Sequence, residues 1–267
     1  MPWVSYAQNA EDVRLRRAFL NQPSGFYVDV GANNPVDASI SKHFYDKGWS
    51  GINIEPAPRP FALIQKARHR DVNLNVGCSD RTGTMTLLAT RGRATALSTF
   101  AVEEAAKHKK KGFDFDSIAT RVTTLSSICE EHVGDRTIDF LSIDVEGHER
   151  AVLLGADFRR FRPRVIVIEA THPMRPEPTH HLWEDLILPH DYQFAVFDGL
   201  NRYYVRREDE GLIPVLALSP NVFDDFIPYQ YKREIDGKVG RLAQRAAGAL
   251  VRSIGEIAHA VGKTTRR

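Results

Sequence analysis

The chain has 267 residues, of which 42% are hydrophobic and 26% charged, and its formal net charge is +2. That length holds one full domain core or two small ones, and the composition is that of a folded globular protein, which excludes wholesale disorder. So balanced a charge argues against bulk nucleic acid as the main partner, and two widely separated cysteines, Cys78 and Cys129, exclude a disulfide framework and a zinc-type Cys/His pattern.

In chain order, residues 5–20 place Val13, Leu15, Ala18 and Phe19 among charges, which predicts a helix packed on one face. Gln8, Asn9, Glu11 and Asp12 precede any apolar run and no stretch approaches about 18 apolar residues, so neither a signal peptide nor a membrane span is expected. Phe26–Val30 is a short apolar run that ends at Gly31, and residues 38–47 read as a helix closed by Gly48. The same unit recurs in a strand over residues 50–54, ending in Glu55 and Pro56, and a helix carrying Phe61, Leu63, Ile64 and Ala67. A third strand is expected over residues 72–76, and residues 79–88 read as a turn feeding another. Between residues 90 and 117 no period is visible, the basic cluster at 107–111 included, so a mobile insertion or lid is expected there.

Regular patterning returns with a strand at 122–124, a helix at 125–132, a buried strand at 138–143, a helix at 149–154 and a strand at 165–168. A helix over residues 181–188 follows, then a hairpin of 194–197 and 203–205 about the turn Asp198-Gly199-Leu200-Asn201. This alternation predicts an α/β, doubly wound, mostly parallel sheet with an antiparallel edge. From Lys238 onward, Val239, Leu242, Ala246, Leu250, Ile254, Ile257 and Val261 recur at helical spacing among Arg241, Arg245, Arg252 and Lys263. The expected division is one domain over residues 1–235 and a basic amphipathic helical tail over 236–267.

Open α/β sheets bind ligands beyond the carboxyl ends of their strands, where Asp29, Gly31, Glu55, Asp80, Asp144 and Glu146 are all expected. The first turn, Asp29-Val30-Gly31-Ala32-Asn33-Asn34-Pro35, has one glycine where a dinucleotide fingerprint has three. Pyrophosphate demands close backbone approach and several N–H donors, whereas a cofactor without phosphate does not. S-adenosylmethionine is such a cofactor: Gly31 and Ala32 suit its amino acid head, Glu55 its ribose diol and Asp29 its amino group. Asn33 and Asp80 complete the candidate cofactor-binding set. Read singly, Gly31 is equally a tight-turn glycine and Glu55 a solvated strand-end acid.

Four blocks together resemble the FkbM family of methyltransferases: Tyr6-Ala7-Gln8-Asn9-Ala10-Glu11-Asp12, residues 29–35, Gly48-Trp49-Ser50-Gly51-Ile52-Asn53-Ile54-Glu55-Pro56, and Ile143-Asp144-Val145-Glu146-Gly147-His148-Glu149. The resemblance covers about residues 5–226 and implies a Rossmann-like methyltransferase fold, S-adenosylmethionine as donor and, usually, a hydroxyl oxygen as acceptor. A later run looks like a branch of the family found with glycan and cell-surface polysaccharide genes. It comprises Glu169-Ala170-Thr171-His172-Pro173, Glu177-Pro178-Thr179-His180, Trp183-Glu184 and Phe197-Asp198-Gly199-Leu200-Asn201-Arg202. By that analogy the acceptor is a sugar or polysaccharide hydroxyl. Two alternatives stand beside it, a secondary-metabolite hydroxyl and a non-catalytic nucleotide-fold module that organises a glycan assembly complex.

In-line transfer of a methyl group to oxygen needs alignment, which supplies about 7 to 11 kcal/mol, and a base for a hydroxyl whose pKa lies far above neutrality. The expected catalytic residues are Asp144, Glu169 and His180, the last preferred to His148 and His172 because it follows the fifth strand and would overhang the pocket. Asp144 and Glu169, ending adjacent strands, are also the expected ligands if a divalent cation such as Mg takes part. Glu146 and Glu149 read equally as acids capping the next helix. Trp49, Trp183, Tyr203 and Tyr204 read as core aromatics ahead of sugar-stacking platforms. The expected setting is cytoplasmic, without nucleic acid, with the tail pairing two copies or touching the inner face of a membrane.

Overall fold

Short, fully buried strands set the frame, because a parallel strand covered on both faces is apolar along its length. The computed structural model describes residues 2–92, 95–239 and 241. Its first half runs β1 (Trp3–Ser5), α1 (Glu11–Ala18), β2 (Phe26–Val30), α2 (Lys42–Asp46), β3 (Ser50–Ile54), α3 (Pro58–Ala67), β4 (Val72–Leu74), β5 (Gly77–Cys78), β6 (Gly83–Thr90), α4 (Val102–Lys110) and β7 (Phe115–Thr123). The second half runs α5 (Leu125–His132), β8 (Phe140–Ile143), α6 (Glu149–Leu154), β9 (Val165–Glu169), β10 (Tyr192–Phe197), β11 (Asn201–Arg206), α7 (Ile213–Ala217) and β12 (Phe226–Pro228).

Seven strands form the central sheet in the order β10-β11-β9-β8-β2-β3-β4. The five from β9 to β4 are parallel, and β11 and β10 add an antiparallel edge. The chain steps outward from β2 through β3 to β4, then returns to lay β8 on the other side of β2. That reversal opens a crevice between the carboxyl ends of β2 and β8, where a ligand site is expected.

Strand alternation sends side chains to two cores. Val28 and Val30, with Leu141, Ile143, Ile166 and Ile168, pack against Leu125, Ile128 and Val152 of α5 and α6. Tyr27, Phe140, Val165, Val167 and Tyr203 face the other way, onto Leu15, Phe44 and Trp49. The four aromatics weighed for sugar stacking are accordingly interior: Trp49, Trp183, Tyr203 and Tyr204 are all buried. A second sheet, β5-β7-β6, stands beyond the end of β4, and β1 pairs in parallel with β12.

Two sequence expectations change. The described residues of the 90–117 stretch contain α4 and the start of β7, which pairs with the whole of β6. The strand period of β7 is hard to read because adjacent Asp116 and Ser117 are both polar and exposed, which breaks the alternation. The helix expected over 181–188 is instead three 3₁₀ turns, His180–Leu182, Glu184–Leu186 and Leu188–His190, the last begun by Pro189. Residues 229–239 are helical, which straddles the expected boundary at 235, while the apolar stripe from Leu242 onward lies outside the described residues. Among the described residues no helix is long and apolar enough to cross a membrane.

Trp49 is only 2% exposed and rests against Phe19, Phe44 and Phe140. Trp49→Ala is expected to lower the unfolding free energy by about 3 to 5 kcal/mol in denaturant titrations, through lost transfer energy and the cavity left behind.

Candidate active site

The turn after β2 forms the floor of the crevice. The N–H groups of Gly31 and Ala32 donate to the Ile54 carbonyl at 2.9 and 3.2 Å, and Asp144 N–H donates to the Val30 carbonyl at 3.0 Å. These bonds draw the ends of β2, β3 and β8 together. Gly31 has φ +87°, and a Cβ placed on it would lie 1.7 Å from the Asp144 carbonyl oxygen, so this position admits no side chain.

Glu55, one residue past β3, is buried and accepts from Asn33 N–H at 2.8 Å and Ala57 N–H at 2.7 Å. Burial pushes its carboxyl up to about 7 against the pull of those two donors. Asp29 lies inside β2; it accepts from the Ser41 hydroxyl at 2.8 Å, and burial raises it to about 6. Glu11, at the start of α1, accepts from Asn201 Nδ2 at 2.8 Å and is also pushed up to about 7 by burial.

Past β8 the backbone takes left-handed conformations at Glu146 (φ +55°) and Gly147 (φ +94°). Glu149 caps this turn by accepting from Gly147 N–H at 3.0 Å and Val145 N–H at 3.4 Å. Of the two acids the sequence left open as caps, only Glu149 therefore has that role. Glu146 instead turns into the crevice, its carbonyl held by the Thr99 hydroxyl at 2.8 Å and its Oε2 buried without a partner. The Asp144 and Glu169 carboxyls neighbour each other. Burial raises both, and the charge of Asp144 raises Glu169 and Glu146 further, so the cluster holds protons well above the usual carboxylate range.

Three connected clefts meet here, with about 470, 610 and 850 Å³ of empty space counting the parts open to solvent. The first is walled by Ile54, Cys78, Leu87, Phe100 and Val145, with Glu55 and Asn33 at its edge. Asp29, Gly31, Ala32 and Asn33 line the second, together with Glu11 and Asn201. The third holds Glu146, Glu169, Thr171 and Arg175. Glu146 and Ala96 line all three, and Asp144 lines the first two.

Asp29, Gly31, Ala32, Asn33, Glu55, Asp144 and Glu169 all line these clefts. Asp80 does not. It is exposed on the turn before β6, paired with Arg81 at 3.3 Å, while Cys78 lines the cleft in its place. His180 also stands outside the clefts, because a bridge between Thr171 and Pro178 folds the intervening chain back and leaves the histidine beside Glu184 and Arg202. His172 meets Glu104 at 3.5 Å, and His148 is bonded to the Ser79 hydroxyl at 3.1 Å. Asp144 and Glu169 adjoin, but among the described residues no group of three or more His, Cys, Asp or Glu is placed to hold a metal ion, so the expected cation finds no support. Sequence reasoning passed over Glu11, Cys78, Ala96, Phe100 and Asn201. Glu11 and Asn201 had a signal, each within a block that resembles the family; the others come to the crevice by long-range packing.

A doubly wound sheet with a single-glycine turn and a strand-end acid at its switch point is the architecture of the Rossmann-like methyltransferases. The model of the methyltransferase FkbM domain matches residues 29–194, more than half of the chain, and the chain belongs to that family. The crystal structure of the methyltransferase FkbM from Methylobacillus flagellatus is similar at 16% identity and a TM-score of 0.43, covering 71% of this chain and 47% of that one. The chain thus spans about half the length of that protein. No curated protein matches the chain.

Unfolded, the Glu11 and Glu55 carboxyls ionise near 4.5, whereas in the fold they keep their protons until about 7. In that window the folded chain binds more protons, so raising the pH favours unfolding. The unfolding free energy of the ligand-free protein is therefore expected to fall between pH 4.5 and 7. In Glu55→Gln the fall becomes shallower by up to about 1.4 kcal/mol per pH unit, as read from denaturant titrations.

Proposed function

We propose that the protein is an S-adenosylmethionine-dependent O-methyltransferase acting on a hydroxyl of a sugar or polysaccharide. The observation that carries this reading is the meeting of a half-apolar, half-acidic crevice, which Asp144 lines, with the third cleft, which Glu169 lines. The first cleft fits the donor's adenosine: Cys78, Leu87 and Phe100 offer apolar walls for the base, and Glu55 keeps free lone pairs for the ribose hydroxyls. Asp29 and Glu11 in the second suit an ammonium group, and the space above Gly31 that any Cβ would fill admits an amino acid head. When bound, the donor would supply an electrophilic methyl group on its sulfonium.

The chain's own part is alignment and proton handling. The acceptor enters along the third cleft, bounded by Glu146, Glu169 and Thr171, and reaches the junction where all three clefts meet. Burial raises both Asp144 and Glu169, so an ionised carboxylate of this pair would accept the hydroxyl proton while a protonated neighbour donates a hydrogen bond. A carboxylate held above its usual range is a better base for this step than an ordinary surface acid. A sugar acceptor rests on the resemblance of residues 169–202 to glycan-associated relatives and on the polar lining of the third cleft.

Calorimetry with S-adenosylhomocysteine tests the donor assignment, and transfer of labelled methyl groups to a panel of glycans, read by mass spectrometry, tests the acceptor. Glu55→Ala is expected to weaken S-adenosylhomocysteine by about 1 to 3 kcal/mol. Glu169→Gln, which alters the acceptor side only, is expected to lower kcat about a hundredfold with donor affinity unchanged.

A further inference from the structure

The third cleft holds one charged group for which the proton chemistry has no use. Arg175 lines it together with Glu146 and Glu169, yet its guanidinium makes no hydrogen bond and no ion pair with any described residue. Its Nη2 is shut off from solvent without an acceptor. By contrast, Arg202 pairs with Glu184 at 3.1 Å and Arg150 with Asp185 at 2.8 Å. A buried guanidinium nitrogen left unpaired costs free energy, and structures that retain one reserve it for a ligand or an ordered water.

The backbone keeps Arg175 in place. Thr171 and Pro178 form a bridge, His172 N–H donates to the Glu177 carbonyl at 3.0 Å, and Arg175 N–H donates to the His172 carbonyl at 2.9 Å. Met174, immediately before it, is left-handed at φ +59°. A non-glycine residue held in that conformation stores strain, which tends to persist where the geometry serves a site.

We propose that Arg175 receives an oxyanion of the acceptor, a carboxylate or a phosphate, so that the substrate class is an acidic sugar. This rests on the sugar reading above. A planar guanidinium presents two parallel N–H groups that match the paired oxygens of such a group. It also cancels the charge an anionic acceptor would otherwise set against Glu146 and Glu169 in the same cleft. A neutral sugar would leave Arg175, the one cation among the described residues of the cleft, without an oxyanion partner.

The test titrates methyl glucuronide, methyl glucoside 6-phosphate and methyl glucoside into the full chain by calorimetry, with and without saturating S-adenosylhomocysteine. At least one anionic probe is expected to bind about tenfold tighter than methyl glucoside, and which one does so separates carboxylate from phosphate. The preference should fall below about threefold in Arg175→Gln and be partly kept in Arg175→Lys, each with wild-type melting temperature. Equal binding of neutral and anionic probes, no binding of either anion, or an undiminished preference in Arg175→Gln overturns the proposal. Failure of the wild-type chain to bind S-adenosylhomocysteine overturns the donor reading instead, and the titrations without it still decide the role of Arg175.

Discussion

Gly31 passes so close to the carbonyl of Asp144 that the turn after β2 and the end of β8 are in effect one surface. Everything at the crevice follows from that approach. It sets Glu55 under the N–H of Asn33 and brings Asp29 and Asp144 to one wall. It also leaves the turn after β8 to run through two left-handed residues, which aims Glu146 inward. A side chain at position 31 would separate β2 from β8 just where their divergence makes the site.

The crevice gathers acids in a way that an isolated strand end would not. Asp29, Glu55, Asp144, Glu146 and Glu169 come from four strands, and burial raises each of them. Confinement of like charges in a space with few compensating cations raises their pKa values, and the titrations of Asp144 and Glu169 influence each other. The free energy spent on this arrangement is recovered from the packed sheet, whose two cores cover both faces. Backbone donors, by contrast, are used sparingly. Glu55 and Glu149 take up the local N–H groups, and the remaining carboxyls face the cleft.

Much of the frame was legible in the sequence because strands buried on both faces write themselves as apolar runs, as in Phe26–Val30 and Val165–Glu169. Gly31 and Glu55 could be located from the ends of those runs, and the shared blocks tied them to a family. Helices α5 and α6 fell where the periodicity put them, over 125–132 and 149–154. The sequence could also say that a single-glycine turn suits a cofactor without pyrophosphate, since that depends on local steric room alone.

Tertiary structure decided the rest, because side-chain direction and long-range approach leave no local trace. Asp80 and Cys78 are two positions apart, yet one is spent on a surface turn and the other walls the cleft. His180 looked well placed by counting from β9, but the Thr171–Pro178 bridge folds the chain back and presents Arg175 at the cleft instead. Ala96, Phe100 and Asn201 reach the crevice from a stretch with no readable period and from an antiparallel edge. Local propensity fixes where a strand ends; which residues meet beyond that end is set by packing between segments far apart in the chain.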